Sequence, residues 1–273
     1  MSTPAEIIKN YADGGAKKTG APAPKLLMLG ALAGFLIGMG AAVTNTAAHA
    51  VGNVSAARVV CGLLFPFGLA IVMLLGGELF TGNCMLPVAV FERKATVAGM
   101  LRNWALVYCG NFAGALFTAA GCAFFGQLNY SGGGLAAYTI KVAASKCAMT
   151  PLNAAVMGVF CNLLVCAGVL CANSSDGTAG KILGAFVPVA FFVICGFEHS
   201  VANMYYVPAG LFALADAGYA AKAAELGVDA AALTWGNFFV RNLAPVTLGN
   251  IIGGAALGAL MWASHLREPA RPN

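Results

Sequence analysis

Glu78, Glu198 and His199 lie inside long apolar stretches, where lipid-facing or core residues are expected. A carboxylate at the centre of a bilayer costs about 2.5–3.5 kcal/mol on the translocon scale. Each glutamate must therefore be neutral, or hydrogen-bonded to donors freed by a break in its helix. The structural reading is that Glu78 and Glu198 hold such breaks together by accepting loop N–H bonds; the alternative is direct contact with a substrate. His199 carries a ring that exchanges a proton near neutral pH, although a lone buried histidine often only packs and hydrogen-bonds. His49 and His265 sit at the ends of stretches. Thr81 offers a hydroxyl that either donates to an anion or bonds a backbone carbonyl. Lys146, just before Pro151 at the outer end of the fourth apolar stretch, either attracts anions or snorkels toward water.

These residue types do not assemble into a catalytic centre. Glu198-His199-Ser200 are consecutive, and successive helical side chains point about 100° apart, so they cannot line up as a triad. No HExxH or GxSxG string occurs. Cys161, Cys166 and Cys171 lie five apart, which scatters them around a helix, and there is no CxxC. The nine cysteines read as small apolar core residues, without metal, disulfide or cofactor.

The elements around these residues are membrane helices. The chain has 273 residues, 60% hydrophobic and 9% charged, with mean hydropathy +0.81. It cannot cover itself with charge, so lipid must cover much of it. Six apolar stretches span residues 26–51, 59–91, 104–125, 151–172, 182–214 and 233–264. The second, fifth and sixth exceed 30 residues, well beyond the roughly 20 needed to cross the hydrocarbon core, so they tilt, protrude or break. Residues 1–25 are polar and lack the apolar run of a cleavable signal. Thr3-Pro4-Ala5-Glu6 reads as a capping box before a short helix. Its Ile7, Ile8 and Tyr11 face would rest on the membrane surface or a neighbouring subunit; a frayed tail is the other reading.

Two pairs of strings match at equal spacing. Gly76, Glu78 and Asn83 parallel Gly196, Glu198 and Asn203, with Pro87 and Pro208 soon after. Arg102-Asn103 with Gly110-Asn111 parallels Arg241-Asn242 with Gly249-Asn250. Three stretches per half is an odd number, so the second half enters the membrane from the opposite side. The fold class is therefore all-α, with six transmembrane helices in two inverted three-helix repeats and the second and fifth helices broken. One channel domain spans the chain, its repeats at 26–125 and 151–264. Inverted repeats place a site near the midplane, between paired breaks. With the N-terminus inside, the inner side holds Lys9, Lys17, Lys18, Lys25, Arg93, Lys94, Arg102, Lys181, Arg267 and Arg271, against five basic residues outside. This predicts cytoplasmic termini. The net charge of +5 follows from these loops and does not point to nucleic acid.

The strings Gly77–Asn83 and Gly196–Met204, with Asn242–Asn250, resemble the signatures of the formate/nitrite transporter family, and the resemblance covers almost the whole chain. It implies an aquaporin-like fold in a homopentamer, one pore per subunit, in a bacterial inner membrane. The Asn-Pro-Ala strings of the aquaporins themselves are absent. By the same resemblance His199 is the central histidine, Thr81 the loop threonine, Lys146 the anion-attracting lysine and Asn250 the sixth-helix asparagine. Phe65, Val165 and Phe192 match the outer constriction, and Leu69, Leu79 and Phe80 the inner one. Glu78, Glu198, Asn83 and Asn203 support the breaks. The implied substrate is a small monovalent weak-acid anion: formate, nitrite or hydrosulfide. His199 would give it a proton or a strong hydrogen bond. The rival readings are a neutral-solute channel for water or ammonia, and an intramembrane enzyme or redox subunit.

Overall fold

The computed structural model of the chain describes residues 2–267; Arg271, counted above among the inner basic residues, lies outside them. The helices run in the order α1 (Pro4–Gly20), α2 (Ala23–Ala48), α3 (Val54–Leu64), α4 (Pro66–Leu75), α5 (Phe80–Asn83), α6 (Pro87–Phe91) and α7 (Val97–Phe124). The second half holds α8 (Gly134–Ala148), α9 (Pro151–Asn173), α10 (Thr178–Cys195), α11 (Ser200–Ala215), α12 (Ala217–Glu225), α13 (Trp235–Asn237) and α14 (Ala244–His265). A π-helical turn, Phe238–Leu243, joins the last two. Six spans are long and apolar enough to cross a membrane: Ala23–Ala48, Val54–Leu75, Val97–Phe124, Pro151–Asn173, Thr178–Cys195 and Trp235–His265. No strand occurs among the described residues.

Close packing in each half depends on glycine. α2 lies against α7 so tightly that a Cβ on Gly114 would run into the Ala31 carbonyl; between α9 and α14, one on Gly253 would run into the Val159 carbonyl. In lipid, where the apolar faces gain little by meeting, such backbone approach is what holds helices together.

The second and fifth stretches are both broken. α4 ends at Gly76 (φ +70°) and α10 at Gly196 (φ +75°), each in the left-handed conformation that glycine adopts without strain. The next N–H then reaches back five residues, Gly77 to the Val72 carbonyl (2.9 Å) and Phe197 to the Phe192 carbonyl (3.0 Å). Three extended residues follow before α5 and α11 begin.

Two expectations need correction. The polar leader is not a tail on lipid or on a neighbour. It is α1, opened by the expected capping box, and it buries Ile8, Tyr11 and Ala12 against Met85, Val88 and Cys166 of its own chain. The capping box supplies the helix start, and the apolar face finds a partner in its own bundle. The stretch between the third and fourth spans also corrects the placement of Lys146 at the outer end of the fourth stretch. It folds as α8, whose last turn carries Lys146, so this lysine belongs to a separate helix and not to the end of the fourth span. α1 also touches Leu257, Trp262 and Leu266 of the chain's end, so both ends of the described chain share one face, the terminal face. Among the cysteines, Cys109, Cys171 and Cys195 are exposed rather than core, and all nine are free.

Candidate permeation site

The two breaks are held by corresponding sets of hydrogen bonds. In the first, the Glu78 N–H donates to the Leu29 carbonyl (3.1 Å) and the Phe80 N–H to Asn111 Oδ1 (2.9 Å). The Asn111 amide returns bonds to the carbonyls of Gly30 and Glu78, both 2.8 Å. In the second, the Glu198 N–H donates to Met157 (3.3 Å) and the Ser200 N–H to Asn250 Oδ1 (2.9 Å). The Asn250 amide donates to the carbonyls of Gly158 (2.8 Å) and Glu198 (3.0 Å). These asparagines satisfy backbone groups that a broken helix leaves bare in a medium without water. Asn250, expected at the pore, is fully buried with its amide committed to the break.

The glutamates correspond as well. Glu78 Oε2 accepts from Asn83 Nδ2 (2.7 Å) and Lys18 Nζ (3.2 Å), and Asn83 also donates to Asn103 Oδ1 (2.9 Å). Glu198 accepts from Asn203 Nδ2 (2.6 Å) and Lys146 Nζ (2.8 Å), and Asn203 donates to Asn242 Oδ1 (2.8 Å). Asn103 and Asn242 each donate to the carbonyl of the lysine in their own half, both at 3.2 Å. The carboxylates thus take side-chain donors, not the loop N–H groups expected of them. Each is paired with a lysine, whose opposite charge and hydrogen bonds offset part of the cost of burying the carboxylate. Lys146 is therefore not an isolated cation: its side chain is 14% exposed and tied to Glu198, while Lys18 is 32% exposed.

Where the halves meet, His199 Nε2 lies 3.0 Å from Thr81 Oγ1. His199 is the N-cap of α11, and its Nδ1 accepts the Ala202 N–H at 3.1 Å. A nitrogen that accepts carries no proton, so the neutral ring holds its proton on Nε2 and donates to Thr81. The Thr81 hydroxyl proton is then free for another acceptor. The Thr81 carbonyl is held from behind by Asn162 Nδ2 (3.0 Å) and the Cys166 thiol (3.4 Å). Phe192 stacks on the histidine ring at 5.8 Å and Phe65 meets it edge-on at 6.5 Å. Val165 is buried in the same core cluster. On the terminal side a cavity of about 250 Å³ is lined by Tyr11, Lys18, Glu78, Asn83, Leu69 and Leu79. Phe80 packs on Tyr108 at 4.8 Å beside it.

Sequence reasoning missed Lys18, Asn111, Asn162 and Tyr11, whose hydroxyl donates to the Gly82 carbonyl (2.8 Å). Asn111 was legible as the match of Asn250. Lys18 was not: the equivalence of Gly30 and Gly158, whose offset carries residue 18 onto Lys146, comes from the hydrogen bonds of the breaks. Asn162, an amide deep in an apolar stretch, gave the same signal as the glutamates.

Six apolar spans and two helix breaks that meet inside the bundle at a buried Thr81–His199 pair are the architecture of a membrane channel or transporter. The formate/nitrite transporter family profile matches residues 5–264. The chain is 36% identical to a probable formate transporter of Methanothermobacter thermautotrophicus, covering 98% of each. It is 32% identical to the formate channel FocA of Escherichia coli strain K12, covering 97% of this chain and 95% of that one. It superposes on a pentameric formate channel solved with formate bound, with TM-score 0.78, 32% identity and coverage of 90% and 98%. The chain belongs to the formate/nitrite transporter family, whose members are transporters and channels rather than enzymes.

Proposed function

We propose that the chain forms a channel for a small monovalent weak-acid anion, formate, nitrite or hydrosulfide, which passes the Thr81–His199 pair between two apolar constrictions. The observation that carries this reading is the Thr81 O–H, left free because Thr81 Oγ1 accepts the His199 Nε2–H, in a buried, aromatic-walled site. A carboxylic acid of pKa near 3.9 is neutral only about one part in a thousand at pH 7, and protonating it costs roughly 4 kcal/mol. A bare anion crossing rings of Phe and Leu faces a barrier at least as large. A donor at the narrowest point lowers it for either species.

His199 acts by hydrogen bonding rather than by giving up a proton. An imidazolium would carry a proton on Nδ1 and lose the Ala202 N–H that caps α11. The proton that accompanies the anion then comes from water in the vestibule. Lys146 on one side and Lys18 on the other attract the anion through N–H groups left over from their glutamates. Phe65, Val165 and Phe192 form the constriction on the Lys146 side, and Leu69, Leu79 and Phe80 the one on the Lys18 side. The matching bonds of the two breaks support an inverted repeat that extends to α1 and α8. The basic residues near the terminal face support its assignment to the cytoplasm of a bacterial cell, and the pentameric relative supports a homopentamer.

Proteoliposomes holding the assembled protein should swell in formate, nitrite or hydrosulfide salts faster than in sorbitol or chloride. Equal swelling in sorbitol, or faster passage of water and ammonia than of any anion, would return the chain to the neutral-solute reading.

A further inference from the structure

The two lysine–glutamate pairs differ in the lysine's second contact: Lys18 Nζ also donates to Asn83 Oδ1 at 2.8 Å, whereas Lys146 turns to an aromatic ring. Lys146 Nζ stands 5.3 Å from the centroid of the Tyr206 ring. Tyr206, on α11, is tied to α2: its hydroxyl meets Thr44 Oγ1 at 2.8 Å, and Thr44 Oγ1 itself donates to the Ala41 carbonyl at 2.7 Å. With the threonine proton spent on that carbonyl, Tyr206 is the donor of the pair. The offset that joins Glu78 to Glu198 puts Leu86, not an aromatic residue, at the position equivalent to Tyr206.

An ammonium has three N–H groups. Glu198 takes one from Lys146, and the electron-rich face of Tyr206 attracts the cation from a second direction. The flexible four-carbon stem is thereby fixed at both ends, and the remaining N–H has one direction left. We infer that Tyr206 is a positioning residue for Lys146: its ring, tethered through Thr44, aims the free N–H of the ammonium at an incoming anion. This inference rests on the reading of Lys146 as the anion-attracting group. It makes the capture of anions at this mouth depend on a residue that touches neither the anion nor the Thr81–His199 pair. At the other mouth the second restraint is of a different kind, because Lys18 is fixed by Glu78 and by Asn83 Oδ1.

The test is concentration-dependent formate flux in proteoliposomes, with pentamer assembly checked by size-exclusion chromatography. Tyr206→Leu should raise the half-saturating formate concentration about three- to tenfold, the range a partly desolvated cation–π contact supports, with maximal flux retained. Tyr206→Phe keeps the ring, loses the tether and should fall between. Lys146→Gln is the control. If Lys146→Gln leaves half-saturation unchanged, the anion-attracting reading fails and the inference with it. If Lys146→Gln raises it but Tyr206→Leu does not, or Tyr206→Leu lowers only maximal flux, the positioning role alone is overturned. Should Tyr206→Leu not assemble, Thr44→Val leaves the ring untethered: a raised half-saturation supports the inference and a wild-type value overturns it.

Discussion

Replacing Asn250 by leucine removes the side chain that closes the second break while keeping its approximate volume. Three hydrogen bonds go with it: from the Ser200 N–H, and to the carbonyls of Gly158 and Glu198. The Gly158 carbonyl keeps its place in the α9 ladder. The Ser200 N–H and the Glu198 carbonyl have no other partner among the described residues and are left bare in a buried position. Each orphaned backbone group costs about 1–3 kcal/mol, so the loss comes to about 2–6 kcal/mol. That is a large share of a typical stability of about 5–15 kcal/mol. Asn250→Leu should therefore lower the melting temperature of the detergent-solubilised oligomer sharply or prevent assembly. Asn111→Leu should do the same, because it strips the Phe80 N–H and the Glu78 carbonyl in the matching way. The assay is thermal unfolding followed by size-exclusion recovery, with formate flux on whatever assembles. If Asn250→Leu assembled with wild-type stability and altered only which anion passes, Asn250 would be a pore residue and the account of the break would be wrong.

His199→Asn should assemble, because asparagine is a good N-cap for α11. Its formate flux should fall while its pH profile between about pH 5 and 8 keeps the wild-type shape; a profile that loses its pH dependence would restore a proton-donor role to the ring. Gly114→Val and Gly253→Val should each abolish assembly, since the new side chain meets a backbone carbonyl of the facing helix; recovery of intact oligomer from either would refute the close-approach argument. Asp13 is held below its ordinary carboxylate range, first by the hydrogen bond from Lys94 at 2.6 Å. This pair therefore ties α1 to the loop before α7 through mildly acidic pH and is lost only as pH falls through the folded value, below about 3.9. Hydrogen-exchange protection of the Pro4–Gly20 amides should drop in that acid window, and Asp13→Asn should show the drop at every pH; protection lost between pH 7 and 5 would mean another group controls α1.

Much of the fold was legible because membrane helices must satisfy their own backbone, and any departure from that leaves a mark in sequence. Excess length and a glutamate in an apolar run marked both breaks, and equal spacing of Gly, Glu and Asn paired them. The expected partners of the glutamates were wrong for a physical reason. Sequence shows that a carboxylate needs donors, but not whether backbone or side chain supplies them. Asn111 and Asn250 were free to take the backbone because Asn83, Asn203 and the two lysines took the carboxylates. α1 and α8 were misjudged because neither is apolar enough to read as a span. Their contribution lies in one buried face and one lysine each, which hydropathy does not register.

The bonds made by the side chains of the break glutamates, asparagines and lysines stay within their own half of the chain. Lys18, Glu78, Asn83, Asn103 and Asn111 all precede the loop at residues 126–133, and Lys146, Glu198, Asn203, Asn242 and Asn250 all follow it. The Thr81–His199 bond, by contrast, joins the halves. During synthesis each lysine leaves the ribosome before the glutamate it will neutralise, so neither carboxylate enters the bilayer ahead of its counter-ion. Each half can then close its own break before the other is complete. A gene divided between Ser131 and Gly132, both exposed in the loop between α7 and α8, should yield two fragments that insert separately and regain transport only when made together.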